Sequence, residues 1–443
     1  MKIKSLIKSN SLNAEVIITF VLLLYYIGAF SIKTPIGNIN NFDYSSQKSL
    51  IEKIIAPLSY ILVPFLISRK WKLCIYLTAK NISLFCFLVL VNLSIIWAST
   101  DVGSNIPNVR GLLLSTTFGI YLAARFSIKE QARLLAGAFL AVILFSIAVA
   151  LFVPGYGVHS GIGNLEGWTG IFEHKNTLGA YMAWSASVFL SLSLSIRNNF
   201  ARLVLWLGFA LSLLLVFLAG SAGGILNLLC VISIVPLSRF FKQTYYKLQV
   251  VLIVSATLLI GSVFFFIAAN LQAIAELLGK NLTFSGRIPM WLELSDYIAE
   301  KPLLGYGFNG FWETEYGQIF RSRWQWEEVP HSHNGFIELI LALGLIGLSI
   351  FAIGFIFTSL EAYKQAYTAK TLEDILPLQF VLTFLIANLS ESRLLISNNM
   401  YWIFYVTISM SLTLEYVRKR KLKQLDRPIT ITEEYDRNTV EVK

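Results

Sequence analysis

The stretch PHSHNGFIELILALGLIGLSIFAIGFIF, residues 330–357, joins a polar string to an apolar run that is long enough to cross a bilayer. About 20 apolar residues suffice to span the hydrocarbon core of a membrane. Runs of this kind recur along the 443 residues, of which 56% are hydrophobic and only 14% are charged, whereas a soluble domain has about 25% charged residues. This composition excludes an ordinary soluble enzyme and a disordered chain, and it predicts an all-α, polytopic membrane protein.

About 12 apolar runs are candidate transmembrane helices, although several are short or interrupted by Pro or Gly. They cover residues 14–30, 50–68, 82–98, 109–124, 131–153, 175–196, 201–218, 220–237, 247–269, 333–357, 375–395 and 400–416. We therefore predict spans 1 to 9 within residues 1–269 and one long extracytoplasmic loop, the outer segment, at 270–332. Spans 10 to 12 follow at 333–416, and a charged cytoplasmic tail at 417–443.

Lys and Arg residues predict the orientation, because cytoplasmic loops of membrane proteins are enriched in them. With a cytoplasmic N-terminus, 25 of the 36 Lys and Arg residues fall on the cytoplasmic side and 11 on the outer side. Both termini are then cytoplasmic, and we expect the chain in the inner (cytoplasmic) membrane. The formal net charge of +10 faces anionic lipid, so nucleic acid is not an expected partner.

All four histidines fall on the predicted outer side, and two of them, His331 and His333, immediately precede an apolar run. Ionisable groups at the edge of a bilayer indicate function by default. If a helix includes this string, Asn334 and Glu338 share one of its faces. An imidazole with a pKa of about 6.5 can act as a general base. The alternatives are histidines that only cap the helix, or a metal site with Glu338, which matches no familiar zinc spacing.

A second charged string, GIFEHKNTLG at residues 170–179, opens the sixth predicted span. It carries His174, Lys175 and Asn176. Lys175 is a candidate contact for an anionic group near the bilayer surface, and the alternative is a structural pair with Glu173.

Three arginines of the outer segment, Arg287, Arg321 and Arg323, are retained on a face that holds 15 acidic residues against 11 basic ones. The planar guanidinium group suits phosphate oxygens, so these side chains are candidates for phosphate binding. The alternative for each is an ion pair with a nearby glutamate. We expect the guanidinium groups and the imidazoles of His331 and His333 to surround a common cavity.

The outer segment also holds local structure. Residues 288–300 read as a helix with Trp291, Leu294 and Ile298 on one arc, which ends at Pro302. GYGFNG at 305–310 matches G-x-G-x-x-G, but no βαβ unit surrounds it, so we interpret it as a tight turn.

Taken together, these strings resemble the O-antigen ligase and O-antigen polymerase superfamily, which includes exopolysaccharide polymerases. The similarity covers roughly residues 160–412. Its matching motifs are the string at 170–179, Gly286-Arg287 before Trp291, PLLGYG at 302–307, His333-Asn334 with Glu338 before GLIGL at 344–348, and Glu391-Ser392. One motif departs: GSAGG at 220–224 has Ala222 where many members carry an arginine thought to touch the lipid pyrophosphate. Lys175 or Arg110 are candidates to replace it.

The resemblance implies a GT-C-like glycosyltransferase that needs no cofactor and no metal. Its donor would be a polyprenyl-pyrophosphate-linked glycan on the outer leaflet, and its acceptor a second glycan. The implied partners, besides the lipid bilayer, are a chain-length regulator and a flippase. A ligase that passes the glycan to lipid A-core or protein, a membrane transporter and a structural scaffold stay open as alternatives.

The resemblance also implies roles for individual residues. His333 is the expected base, with His331 orienting it or the acceptor and Glu338 supporting the imidazole. Substrate binding is expected from the following residues: His174, Lys175, Asn176, Arg287, Arg321, Arg323 and Asn334.

Overall fold

The computed structural model describes residues 2–31, 49–98, 102–159, 167–243, 287–324 and 331–425, and this part of the chain is almost entirely helical. Its helices are α1 Lys2–Ile27, α2 Leu50–Ser68, α3 Trp71–Lys80, α4 Ile82–Leu93, α5 Val102–Arg125, α6 Ile128–Phe152, α7 Pro154–Gly157, α8 Lys175–Ser193, α9 Asn199–Ala219, α10 Ala222–Gln243, α11 Arg287–Glu300, α12 Glu315–Trp324, α13 Gly335–Tyr367, α14 Leu376–Ser390 and α15 Met400–Leu425. One antiparallel pair joins β1 Val158–His159 to β2 Gly167–Trp168.

Five of the described helices are long and apolar enough to cross a membrane by length and composition, and a bent pair would make a sixth. The five are Leu50–Ser68, Ile128–Phe152, Asn199–Ala219, Gly335–Tyr367 and Leu372–Ser390. These helices support a multi-pass membrane protein. The count of 12 spans and the position of the long loop stay predictions, and the predicted span 247–269 lies outside the described residues.

The bent pair adds a helix between two predicted spans. Residues 69–81 separate the predicted spans 50–68 and 82–98, and within this interval 71–80 is helix α3, which meets the helical stretch Ile82–Ile96 at 92°. Asn81 makes the bend because its backbone is non-helical (φ −103°, ψ 70°) while its side chain caps α4 at the N–H of Leu84. A side-chain cap starts a new helix and stops the preceding one from continuing.

Helix α8 lies at the centre of the bundle, and every side chain from Leu178 to Ser193 is buried. Small residues let its neighbours approach closely. A Cβ atom on Gly208 of α9 would lie 2.7 Å from the ring of Phe189, and one on Gly224 of α10 would lie 2.9 Å from the backbone of Gly179. Such contacts between small residues are typical of helix packing in membranes. The first turn of α8 is therefore held on a rigid support.

Helix α13 is broken at Gly344, whose backbone is left-handed (φ 64°, ψ −166°). The outer segment fills the break: the N–H of Leu345 donates to the carbonyl of Pro302 at 2.8 Å, and the N–H of Tyr306 donates to the carbonyl of Leu341 at 2.7 Å. The stretch at 305–310 is a turn, as predicted. Backbone hydrogen bonds thus join the outer segment to α13.

The described part of the outer segment, 287–324, packs on the first half of α13, and we call it the lid. The predicted helix is confirmed as α11, and Leu294 is fully buried in an apolar cluster with Trp312 and Leu341. Trp291 is partly buried, and its Nε1 donates to the carbonyl of Ser332 at 2.7 Å. The lid therefore fixes the polar turn that precedes α13.

Candidate functional site

The carboxylate of Glu391 is the centre of a polar cluster at the end of the bundle where α8 begins and α14 ends, which we call the site end. Its Oε2 lies 2.9 Å from Nδ1 of His333. Its Oε1 accepts hydrogen bonds from Nη2 of Arg287 and from Nδ2 of Asn176, each at 2.8 Å. Together with His331, these four residues form the Glu391 cluster, which unites segments that are far apart in the sequence.

The two imidazoles of the cluster lie side by side. Their ring centroids are 4.1 Å apart, and the backbone N–H of His333 donates to Nδ1 of His331 at 3.2 Å. The backbone of His333 is in the left-handed region, with φ 50°, which non-glycine residues rarely adopt. Backbone strain of this kind concentrates at functional sites. The conformation of His333 therefore agrees with a functional role.

Burial and charge set the protonation states. Burial, with the neighbouring charge of His333, lowers the pKa of His331 to about 4, so this ring is neutral near pH 7. Burial opposes ionisation of Glu391, but the hydrogen bond from His333 and the charges of Arg393 and Arg287 keep the pKa of Glu391 well below its usual range. An ionised Glu391 accepts a hydrogen bond from Nδ1–H of His333, which leaves the lone pair of the neutral imidazole on Nε2.

Asn334 and Glu338 shape the turn before α13. Asn334 is the N-cap residue, and its Oδ1 accepts hydrogen bonds from the first backbone N–H groups of the helix. It therefore lies outside the helix, so the expectation that it shares a helical face with Glu338 is wrong. Glu338 accepts a hydrogen bond from Nε1 of Trp312 at 3.1 Å and one from a backbone N–H of the turn. The carboxylate on Nδ1 of His333 is that of Glu391 rather than that of Glu338.

The charged string before the sixth predicted span reaches the cluster through Asn176. His174 is the N-cap residue of α8, and Lys175 and Asn176 begin the helix. Asn176 bonds directly to Glu391, whereas the stem of Lys175 lies beside Gly167 of β2. The charge of His174 contributes to the lowered pKa of His331, which places the two rings in the same electrostatic environment.

The three arginines chosen from the sequence separate in the structure. Arg287 reaches the cluster, where it bonds to Glu391 and to the carbonyl of Ser390. Arg321 donates to the carbonyl of Trp312 at 2.6 Å, and Arg323 pairs with Glu293 at 2.5 Å. Both side chains belong to α12, which is part of the lid, and both bond to other residues of the lid. Substrate binding by these arginines stays a prediction.

Sequence reasoning gave no role to Arg393, which is buried two residues after Glu391 with 9% of its surface exposed. Its Nη2 donates to Oγ1 of Thr177 in the first turn of α8 at 2.9 Å. A signal was present, because Glu391 and Arg393 interrupt an apolar run, 375–395. Ionisable residues within such runs are functional candidates by default.

Two cavities flank the 391–399 turn between α14 and α15. The lid cavity has a volume of about 260 Å³ and is lined by residues that include Trp312, His331, Glu338 and Ser392. The lateral cavity has a volume of about 180 Å³ and is lined by residues that include Tyr26, Ser31, Glu52, Thr177, Arg393 and Asn399. The first has aromatic walls suited to sugar rings, and the second has mostly polar walls.

His331, His333 and Glu391 also form a group whose ligand atoms lie within 4.8 Å of one another, close enough to hold a metal ion. The sequence suggested Glu338 as the third ligand, but the structure brings Glu391 to the two imidazoles. The guanidinium group of Arg287 on Glu391 opposes a second cation at the same carboxylate. That the chain needs no metal stays a prediction.

Comparison with known proteins shows that part of the chain matches a family model. The model of the O-antigen ligase family matches residues 207–352. This match, together with the relatives described next, confirms the resemblance to the O-antigen ligase and polymerase superfamily.

Two relatives have names that refer to polysaccharide ligation or production. A protein of Rickettsia bellii named "Putative polysaccharide ligase" is 34% identical over 146 residues, which cover 30% of this chain and 32% of the relative. The "Exopolysaccharide production protein ExoQ" of Rhizobium meliloti is 26% identical over 195 residues, which cover 41% of this chain and 43% of the relative. The matches thus span about a third to two fifths of the relatives' lengths.

Proposed function

We propose that the chain is a membrane glycosyltransferase that transfers a polyprenyl-pyrophosphate-linked oligosaccharide to an acceptor hydroxyl, with His333 as general base. The observation that carries the proposal is the 2.9 Å contact between Nδ1 of His333 and Glu391, a carboxylate that Arg287 and Asn176 also hold. A carboxylate on one ring nitrogen orients the imidazole and supports its positive charge after proton transfer. The superfamily consists of enzymes of glycan transfer, which supports the same chemistry.

The reaction has one bond-forming and one bond-breaking event. Nε2 of His333 takes the proton of the acceptor hydroxyl while the acceptor oxygen attacks the anomeric carbon of the donor sugar. The bond between that carbon and the pyrophosphate oxygen breaks, and the lipid pyrophosphate leaves with the electron pair. Positive groups beside the leaving group stabilise its developing charge, a contribution that is usually large in enzymes.

His331 has a supporting part in this proposal. Its Nδ1 accepts the backbone N–H of His333, so its proton lies on Nε2, where it can donate to a substrate oxygen. His331 and Trp312 both line the lid cavity. Since flat aromatic faces suit sugar rings, we assign the lid cavity to a glycan.

We favour a polymerase that joins lipid-linked repeat units on the outer face of the inner membrane, in the synthesis of O-antigen, exopolysaccharide or capsule. A ligase is the alternative, and the names of the relatives include both exopolysaccharide production and polysaccharide ligation. Analysis of the product separates the two. Loss of the gene leaves single repeats if the chain is a polymerase, and complete glycans on the polyprenyl lipid if it is a ligase.

The transporter alternative predicts polar binding groups inside broken membrane helices. Helix α13 is broken at Gly344, but backbone groups of the outer segment bond to the helix at this break. Charged groups gather instead at the two ends of the bundle, and those around Glu391 lie at the site end. This distribution favours an enzyme over a carrier.

The test replaces His333 with alanine in the full chain reconstituted in lipid nanodiscs. We expect His333→Ala to lower glycan transfer by about 100-fold or more, because a general base contributes a factor of this order. Arg202→Gln, at an exposed position of α9, is the control that keeps wild-type transfer. A His333→Ala protein that inserts, folds and transfers at the wild-type rate contradicts the assignment.

A further inference from the structure

Residues 331–334, which we call the histidine turn, carry both imidazoles of the Glu391 cluster, and the fully buried Ser332 lies between them. Two groups outside the turn bond to the backbone of Ser332. Nε1 of Trp291 donates to its carbonyl at 2.7 Å, and its N–H donates to Oε1 of Glu338. The N–H belongs to the peptide group before Ser332 and the carbonyl to the one after it. Both peptide groups next to the imidazoles are therefore held.

Glu338 links the histidine turn to a second tryptophan. Its other oxygen, Oε2, accepts a hydrogen bond from Nε1 of Trp312 at 3.1 Å. The indole of Trp312 is 8% exposed, and the ring centroids of Phe311 and Phe320 lie 4.9 Å and 5.6 Å from its own. We call the chain of hydrogen bonds from Trp312 through Glu338 to Ser332 the relay. Because the indole is packed between aromatic rings, the relay begins on a firm support.

The relay begins at the wall of the lid cavity. Trp312 and Glu338 both line this cavity, and His331 is another of its lining residues. The proposed function places a glycan in the same space. Trp291 holds the histidine turn from α11, but it is not among the described residues that line the cavity. The two tryptophans therefore hold one turn, and Trp312 alone of the two also faces the glycan.

The conformation of His333 explains why the histidine turn needs such support. Its backbone is left-handed, and residues in such conformations persist only when the surrounding structure over-determines them. Bonds within the turn, such as Oγ of Ser332 to the carbonyl of Asn334 at 2.8 Å, close the turn on itself. They do not set its position relative to Glu391. The contacts from outside the turn do so, and they keep Nδ1 of His333 2.9 Å from Glu391.

We propose that Trp312 is a positioning residue for the transfer reaction: through Glu338, it holds the turn in which His333 lies. The inference rests on the proposed function and gives it a residue that acts without touching the reacting atoms. Because the same indole lines the lid cavity, a glycan that packs on Trp312 also stabilises the position of the base. Binding energy from a sugar remote from the reacting bond then contributes to the rate of transfer.

The first test is Trp312→Phe in the full chain in lipid nanodiscs, with glycan transfer measured over a range of acceptor concentrations. Phenylalanine keeps an aromatic face for the glycan but lacks the Nε1–H that Glu338 accepts. We expect kcat to fall about tenfold and KM to stay within about twofold, since an interaction that serves the transition state is lost. Tyr316→Phe, at a lid position that is 42% exposed, is the matched control and should transfer as the wild type does.

A residue that only stacks on the glycan behaves in the opposite way. Trp312→Phe would then raise KM and leave kcat unchanged, because the loss would affect binding of the glycan alone. That result overturns the proposal.

A double-mutant cycle tests the relay itself. Glu338→Gln has one oxygen for two N–H donors, so its amide NH2 must face either Trp312 or Ser332. Alone, it should lower kcat about tenfold or more. In the Trp312→Phe background the amide can turn its oxygen to Ser332, so the same change should cost less than about threefold. Effects that multiply independently overturn the relay.

Trp291→Phe is a further variant, in case Trp312→Phe does not fold. It removes the donor to the carbonyl of Ser332, so kcat should fall about fivefold while KM is unchanged. A folded Trp291→Phe protein with wild-type kcat contradicts control of the base through Ser332. It overturns the proposal even where Trp312→Phe is unusable. Thermal melting and elution profiles identify folded protein.

His333→Ala on the same preparations separates failure of this inference from failure of the proposed function. Loss of transfer in His333→Ala together with wild-type kcat in Trp312→Phe removes the positioning role alone. Wild-type transfer by His333→Ala removes the proposed base, and the positioning role with it.

Discussion

Two buried glutamates lie at opposite ends of the helix bundle, and different groups hold them. Glu15, on α1, bonds to Nη1 of Arg69 at 3.2 Å, to Nε of Arg125 at 3.1 Å and to the hydroxyl of Tyr121 at 2.8 Å. Glu391, at the site end, bonds to His333, Arg287 and Asn176. Both carboxylates therefore have several partners, and both join helices that are far apart in the sequence.

The difference lies in what the partners can do. Arg and Tyr side chains titrate far above neutral pH, whereas an imidazole can gain or lose a proton near pH 7. The Glu391 cluster also adjoins the lid cavity. A buried carboxylate by itself therefore indicates a structural role. A carboxylate that is bonded to an imidazole next to a cavity indicates a catalytic role.

The largest expected effect separates the two buried glutamates when each is replaced by glutamine. Glu391→Gln should lower glycan transfer by about 100-fold to 10,000-fold, because an amide cannot support the protonated imidazole. Glu15→Gln should leave the transfer rate near wild type but lower the free energy of unfolding by about 3 kcal/mol, since two arginines lose their counter-charge. Initial rates and thermal melts in nanodiscs measure both. A Glu15→Gln protein that is stable but inactive would remove the distinction.

A smaller effect should follow from pH through His331. Its pKa is lowered to about 4 in the folded chain, against about 6.5 when unfolded, so the unfolded chain binds more protons between these values. The contribution of His331 to stability is complete above pH 6.5 and is lost as pH falls toward 4, by up to about 3 kcal/mol. His331→Gln should flatten this part of the curve of melting temperature against pH. An unchanged slope in His331→Gln would show that another group titrates.

The smallest effect should come from Lys175, the candidate replacement for the arginine that is absent at Ala222. We expect Lys175→Ala to lower transfer about tenfold and to shorten the polymer, because one charge near the bilayer surface is lost. Polymer length on a gel, compared with Arg202→Gln, measures the effect. Full-length polymer from Lys175→Ala would rule out the replacement.

Much of the site was predictable as a set of residues but not as a set of contacts. The motifs named His333, Arg287 and Asn176, which the structure brings to one carboxylate. They also pointed to Glu338 as support for the imidazole. The helix begins at Gly335, and the side chain of Glu338 bonds back to the turn and to the lid.

The other features that the sequence did not predict depend on contacts between distant segments. Nothing local in the sequence indicates that Asn81 bends α3 against α4, or that the stretch at 302–306 fills the break in α13. Both depend on how distant helices pack. Arg393 was identifiable as a charge within an apolar run, but its cavity becomes visible only once α1, α8 and the 391–399 turn lie together.

The amino-acid sequence by itself determined the helical, membrane-spanning character of this protein and the identity of its reactive groups. Both follow from composition and from apolar runs, which are local properties that each segment carries wherever it lies. The tertiary structure alone decided that Glu391 is the partner of His333, that Arg321 and Arg323 bond within the lid, and that Arg393 lines a cavity. Such pairings depend on which segments meet across tens to hundreds of residues, because a polar group buried in a bundle must bond to whatever the packing brings within reach.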